Sequence, residues 1–164
     1  MFQRLLAMCA VAFLFTACET ASNVAGGSSS SSATAAGSTS SSTTATQMSD
    51  AEKLAQVGNT VYFGFDSSEL AGEAQATLDR QAAFLNVNPT MVVIIEGHAD
   101  ERGTREYNLA LGDRRAVAVR DYLLAKGLNA ARVRTVSYGK ERPAVSGSNE
   151  EAWAKNRRAA TVLN

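Results

Sequence analysis

The chain has 164 residues, 45% of them hydrophobic, which allows one domain of ordinary size together with flexible appendages. Lysine and arginine number 16, as do aspartate and glutamate, so no bulk positive charge favours binding to nucleic acid. Both cysteines, Cys9 and Cys18, lie near the start of the chain, which excludes a disulfide framework or a thiolate metal site from the rest of it.

The N-terminal segment has the pattern of a secretory signal. Arg4 gives it positive charge, and the apolar run at residues 5–15 is shorter than the roughly 20 residues that a membrane-spanning helix needs. Residues 14–18 resemble a bacterial lipobox, in which the cysteine is acylated and becomes the new N-terminus. We therefore expect a signal peptide at residues 1–17 and a lipidated Cys18. The alternative is an ordinary signal peptide in which Cys18 is incidental.

The residues after Cys18 predict a tether between a membrane and a domain. Glu19 follows the cysteine, where an aspartate would resemble the inner-membrane retention signal of enterobacteria. We therefore expect the lipid to lie in the outer membrane, with the domain facing the periplasm. Residues 19–48 are mostly Ser, Ala, Thr and Gly, and they are predicted to form a disordered linker because they cannot bury enough apolar surface to offset chain entropy.

Residues 49–164 carry the periodic patterns of a folded domain. Strands are predicted where β-branched and aromatic residues cluster, and helices where apolar residues recur every three or four positions. In chain order the predicted elements are strand 60–65, helix 68–86 with Ser68 as its N-cap, strand 91–96, helix 104–126, strand 132–138, a short helix 149–156 and strand 158–163. The order βαβαβ(α)β predicts an α+β fold in which helices pack on a mixed four-stranded sheet.

One loop and the long helix after it bring complementary charges together. Asp100 lies in the loop, while Asn108 and Arg115 are seven positions apart and share a face of the helix. This group suits a zwitterionic ligand, because a carboxylate binds an ammonium group and a guanidinium holds a carboxylate with two hydrogen bonds. On spacing alone, the favoured alternative is a simple salt bridge between Asp100 and Arg115.

The long helix resembles the peptidoglycan-binding signature of the OmpA C-terminal domain family through the motif Asn108-x-x-Leu111-Gly112-x-x-Arg115-Ala116-x-x-Val119. The loop sequence GHADERGT resembles the peptidoglycan-associated lipoproteins within that family, and the similarity extends over residues 57–161. The resemblance implies that Asp100 and Arg115 grip the amine and carboxylate centre of diaminopimelate in the wall's stem peptide. The other ligand-binding residues that it implies are Asn108, Asp66, Phe65, Leu111, Thr104 and one of the Arg157/Arg158 pair, of which we choose Arg158.

The resemblance also implies a biological role. Proteins of this kind attach the outer membrane to peptidoglycan without a covalent bond, and they bind the periplasmic protein TolB. Through TolB they belong to the Tol-Pal system, which maintains envelope integrity and constricts the outer membrane during cell division. Composition and spacing do not derive this partner, so TolB is an expectation from the resemblance alone.

Two alternatives stay open at this stage. One is another OmpA-like wall-binding lipoprotein that has no TolB partner. The other is an enzyme that cleaves peptidoglycan, with acid and base drawn from Asp66, Glu96, Asp100 and Glu101. The chain has no Gly-x-Ser-x-Gly elbow and a single histidine, His98, so we expect no enzyme activity, no cofactor and no metal site.

Overall fold

A computed structural model describes residues 48–164. The predicted signal peptide, Cys18 and the predicted linker up to residue 47 lie outside the described residues. The helices are α1 (Asp50–Val57), α2 (Gly72–Val87), α3 (Arg105–Ala125) and α4 (Glu150–Asn156), and the strands are β1 (Thr60–Tyr62), β2 (Val93–His98), β3 (Val133–Gly139) and β4 (Arg158–Leu163). A 3-10 turn at Ala130–Arg132 precedes β3. Within the described residues, no helix is both long and apolar enough to cross a membrane.

The four strands form one mixed sheet in the order β1-β4-β2-β3. Strand β4 pairs antiparallel with both β1 and β2, while β2 and β3 are parallel and are connected through α3. A parallel pair needs such a crossover connection, and a helix is its usual form. The predicted α+β architecture, with helices on a mixed four-stranded sheet, is therefore confirmed.

The core lies between the sheet and helices α2 and α3. Alternate strand residues, among them Val61, Ile95 and Val133, are buried against the helices, as expected for a sheet with one covered face. The helices contribute apolar residues at helical spacing to the same core: Ala74, Leu78, Ala82, Leu85, Ala116, Val119 and Leu123. This packing fixes α3 across β2 and β3, so that its first turns lie next to the loop that follows β2.

Two glycines bring α3 into backbone contact with the sheet. A side chain at Gly97 of β2 would collide with the carbonyl group of Gly112 in α3, and one at Gly112 would collide with the Ser137 side chain. Because neither glycine carries a Cβ, the helix backbone lies directly on the strand. This close approach places Asn108 and Arg115 of α3 beside the residues that leave β2.

Strand β2 begins and ends two residues later than the predicted strand 91–96. Three larger differences lie before it in the chain. Helix α1 was not predicted, although Ser49 and Glu52 form a capping box whose spacing is visible in the sequence. Strand β1 ends at Tyr62 rather than at residue 65, since the carbonyl group of Gly64 turns away to accept a hydrogen bond from Arg115. Helix α2 begins at Gly72 rather than near Ser68, because the preceding residues form a turn; its N-cap is Ala71, which makes no side-chain cap hydrogen bond.

Candidate ligand-binding site

A cavity of about 170 Å³ opens where the loop after β1, the loop after β2 and the first turns of α3 meet. Six of the eight residues predicted to bind ligand line it: Phe65, Asp66, Asp100, Asn108, Leu111 and Arg115. Three lining residues were not predicted: Arg102, Gly103 and Tyr107. The fold thus brings most of the predicted residues together, although they are distant in sequence.

Asp100 is a buried carboxylate with cationic neighbours. Its side chain accepts hydrogen bonds from the backbone N–H of Arg102 at 3.1 Å and from the Arg102 Nη2 at 2.6 Å. Arg157 Nη1 lies 3.6 Å from the same carboxylate. Burial alone would raise the pKa of Asp100, but the hydrogen bonds and charge of Arg102, with the charge of Arg157, outweigh it and lower the pKa below its usual value. The carboxylate is therefore ionised at neutral pH.

Arg115 is the most deeply buried charge at the site, with no exposed surface. Its Nε donates to the Ser67 carbonyl at 2.8 Å, its Nη1 to the His98 carbonyl at 2.7 Å and its Nη2 to the Gly64 carbonyl at 3.1 Å. Burial lowers the pKa of Arg115 to about 10, so it stays charged at neutral pH. Arg115 thereby holds the loop after β1 against the end of β2, and Asp100 pairs with Arg102 and Arg157 instead.

Polar and apolar residues complete the wall of the cavity. The side-chain amide of Asn108 donates to the Arg102 carbonyl at 2.7 Å, which fixes the loop over the helix. Tyr107 donates its hydroxyl hydrogen to the Asp66 carboxylate, and this hydrogen bond raises the pKa of Tyr107. Asp66 has a φ of 50°, a left-handed conformation that aspartate adopts more readily than most residues. At the rim, the Phe65 side chain is 66% exposed.

Arg102 lies within the loop sequence GHADERGT, but it was not predicted to bind ligand. Its guanidinium lies 4.2 Å from the centre of the Phe65 ring and 4.1 Å from the centre of the Trp153 ring, between the two aromatic side chains. Such contacts are attractive because the ring faces carry partial negative charge. The spacing of Asp100 and Arg102 was the available signal, since residues two apart in a tight loop readily contact each other.

Comparison with known proteins agrees with this geometry. The OmpA family pattern matches residues 62–157, which is more than half of the chain. The chain belongs to the OmpA family. It is 53% identical to the peptidoglycan-associated lipoprotein of Rhizobium meliloti over 119 residues, which cover 73% of this chain and 68% of that protein. It is 58% identical to the peptidoglycan-associated lipoprotein of Pasteurella multocida over 108 residues, covering 66% and 72%.

A solved structure shows the same architecture. The crystal structure of the peptidoglycan-associated lipoprotein from Burkholderia pseudomallei matches with a TM-score of 0.63 and 46% identity, covering 65% of this chain and 90% of that one. The resemblance to the OmpA family that the loop and helix motifs predicted is therefore confirmed.

Two of the predicted ligand-binding residues do not line the cavity of this OmpA domain. Thr104 is the N-cap of α3, and its hydroxyl accepts a hydrogen bond from the backbone N–H of Tyr107 at 3.2 Å. Arg158 is the first residue of β4 and donates to the Arg142 carbonyl at 3.3 Å. Side chains alternate between the two faces of a sheet along a strand. Arg157, which directly precedes β4, therefore lies on the helix-covered face with Ala159, whereas Arg158 points to the opposite face. Arg157, the other member of the pair, lies 3.6 Å from Asp100 but is likewise not among the residues that line the cavity.

His98 ends β2 on the face of the sheet opposite the helices and is 2% exposed. Burial, with the nearby charges of Arg158 and Arg142, lowers its pKa to about 4 from 6.5. The unfolded chain binds a proton at His98 below about pH 6.5, whereas the folded domain does so only near pH 4. Protonation therefore favours unfolding between these values.

We expect the free energy of unfolding to fall as the pH drops from 6.5 towards 4, and a His98→Gln variant to lose this decline between pH 6.5 and 5. Because His98 is the only histidine, no other side chain with an ordinary pKa titrates in that upper window. Urea unfolding at several pH values measures the effect. An equal decline in both proteins would contradict the assignment.

Proposed function

We propose that this chain is an outer-membrane lipoprotein that binds peptidoglycan non-covalently through the diaminopimelate of its stem peptides. The observation that carries the proposal is an ionised, nearly buried Asp100 that opens onto a cavity whose floor is the cation Arg115. Membership of the OmpA family, with relatives named peptidoglycan-associated lipoproteins, supports the same ligand. The protein acts by binding, without turnover.

The cavity offers a partner for each part of a diaminopimelate side chain. The Asp100 carboxylate binds the ammonium group, and the buried charge of Arg115 attracts the carboxylate, aided by the N-terminal end of α3. Phe65 and Leu111 line the same cavity and provide apolar contact for the methylene chain between the two amino-acid centres. Asp66 and Asn108 supply further polar groups at the wall.

The membrane anchor is the second part of the proposal. Lipid on Cys18 holds the chain in the outer membrane, because several acyl chains at about 0.8 kcal/mol per buried methylene make attachment long-lived. A flexible linker over residues 19–48 averages roughly 30 Å from end to end and reaches about 110 Å when extended. This range lets the domain reach the wall while the lipid stays in the membrane. Mass spectrometry of the mature protein tests the anchor, and an unmodified Cys18 would reject it.

We extend the proposal to TolB and to the Tol-Pal role in maintaining the envelope and constricting the outer membrane during division. Its support is the 53% and 58% identity to peptidoglycan-associated lipoproteins. The test is cross-linking of the full chain in cells, followed by detection of TolB in the products. Cross-linking to peptidoglycan without any product containing TolB would favour the alternative, an OmpA-like wall-binding lipoprotein without that partner.

Sedimentation with purified cell wall tests the binding function. We expect the full chain, in detergent, to pellet with diaminopimelate-containing peptidoglycan and to remain in the supernatant with a wall whose stem peptides carry lysine. Equal pelleting with both walls would contradict recognition through diaminopimelate. Release of soluble wall fragments during the incubation would favour the enzyme alternative instead.

A further inference from the structure

We propose that Arg102 sets the ligand selectivity of the site. Arg102 is the internal counter-ion of Asp100, and only a ligand centre that carries both an ammonium and a carboxylate group displaces it. This inference rests on the proposed function and names the residue that distinguishes diaminopimelate from lysine. Its basis is the position of one guanidinium in the wall of the cavity.

Arg102 forms an ion pair with the Asp100 carboxylate, which is the group that a ligand ammonium would bind. Its Nη2 lies 2.6 Å from one Asp100 oxygen, and its Nε lies 3.3 Å from the other. The backbone N–H of Arg102 donates to the same carboxylate. An incoming ammonium group therefore meets a carboxylate that is already neutralised, and it must compete with a cation held by two charge-assisted hydrogen bonds.

The guanidinium is held in place and yet reachable from the cavity. The Phe65 and Trp153 rings lie on it at 4.2 and 4.1 Å, while the Arg102 side chain keeps 32% of its surface exposed. The nearest carboxylate to Nη1 beyond Asp100 is that of Glu150, at 3.9 Å. Arg102 can thus turn its N–H groups from Asp100 to a ligand carboxylate without leaving the two rings.

Arg115 is poorly suited to this exchange. All three of its nitrogens donate to backbone carbonyl groups, and it has no exposed surface. It supplies a fixed positive charge to the cavity floor. Arg102 is the lining arginine whose hydrogen bonds are to another charged side chain and can be exchanged for equivalent ones.

The exchange explains selectivity between two similar ligands. A lysine side chain brings only an ammonium group, so it breaks the Asp100–Arg102 ion pair and leaves the guanidinium only the more distant Glu150 carboxylate, at 3.9 Å. Diaminopimelate brings ammonium and carboxylate on one carbon, so the single internal pair becomes two pairs with the ligand. The charge-assisted hydrogen bonds that Arg102 loses in the first case are not replaced by the ligand, which makes lysine binding less favourable.

The test compares the affinity of the full chain, in detergent, for a diaminopimelate stem peptide and for the matching lysine peptide. We expect the wild type to prefer the first, and Arg102→Gln to reduce the ratio of affinities about tenfold or more, since one charge-assisted hydrogen bond is worth that factor. Arg102→Lys keeps a cation on Asp100 without the planar fork, and we expect an intermediate ratio. Arg105→Gln is the matched control, because Arg105 pairs with Glu141 outside the cavity and its removal changes net charge equally.

Trp153, the only tryptophan, gives a second readout because Arg102 lies on its ring. We expect the diaminopimelate peptide to change tryptophan emission in the wild type and to change it much less in Arg102→Gln. An unchanged affinity ratio in folded Arg102→Gln, or an equal loss for both peptides, would overturn the role of Arg102. If the wild type bound neither peptide, the proposed function itself would fail.

Discussion

Replacing Arg115 with alanine is expected to lower the free energy of unfolding by about 3–5 kcal/mol, because breaking a buried, hydrogen-bonded charged network leaves its partners unsatisfied. The partners here are the carbonyl groups of Gly64, Ser67 and His98, which belong to two different segments of the chain. Loss of Arg115 also opens a void beside Phe63, whose ring lies 5.2 Å from the guanidinium. Urea denaturation monitored by circular dichroism measures the change.

Arg114→Ala is the matched control, because Arg114 is adjacent on α3 and exposed. We expect its effect to stay within about 0.5 kcal/mol, as for other surface substitutions. If Arg115→Ala were as stable as Arg114→Ala, the structural role of the buried guanidinium would be wrong. The prediction also bears on function, since a loss of ligand binding in Arg115→Ala cannot by itself identify a ligand contact.

Gly97→Ala is expected to destabilise the domain by about 3 kcal/mol or more, at the upper end of the range for overpacked cores. The added methyl group would collide with the Gly112 carbonyl, which is backbone of α3 and cannot move as the end of a side chain does. To relieve the collision, α3 must shift away from β2, and that shift displaces Asn108 and Arg115 from the cavity. We therefore expect thermal stability and wall binding to fall together.

Gly72→Ala provides the comparison for this substitution. Gly72 is the first residue of α2, and no atom lies within 4 Å of the position that a Cβ would occupy. Alanine there is expected to be neutral or to stabilise by up to about 1 kcal/mol, because the unfolded chain loses conformational freedom. Comparable stability in Gly97→Ala and Gly72→Ala would show that the helix and strand are not held at backbone contact.

Much of the fold could be predicted from the sequence because its signals are local. The apolar periods of α2 and α3 and the β-branched runs of β2 to β4 gave each of these elements the right type. The boundary of β1 depends on a distant contact: the strand ends early because the Gly64 carbonyl accepts a hydrogen bond from Arg115, far along the chain. Helix α1 was missed although its capping box is local, because it is short and buries only Leu54.

The site was predicted less completely than the fold. Asp100, Asn108 and Arg115 were predicted from the OmpA-like motif together with their spacing along one loop and one helix, and the structure brings them to one cavity. Which cation neutralises Asp100 depends on the path of the loop and on the Phe65 and Trp153 rings beside it, and these come from separate parts of the chain. The position of Arg157 beside Asp100 was likewise out of reach, because it needs the exact register of β4.

Calorimetric titration of the full chain, in detergent, with a diaminopimelate stem peptide tests the central claim most directly. Asp100→Asn keeps the shape of the side chain and removes its charge, so we expect binding to weaken at least about a hundredfold, as when a buried charged partner is lost. Asp113→Asn makes the same chemical change at an exposed residue of α3 outside the cavity, and we expect it to bind like the wild type. Binding of folded Asp100→Asn with wild-type affinity would contradict the account.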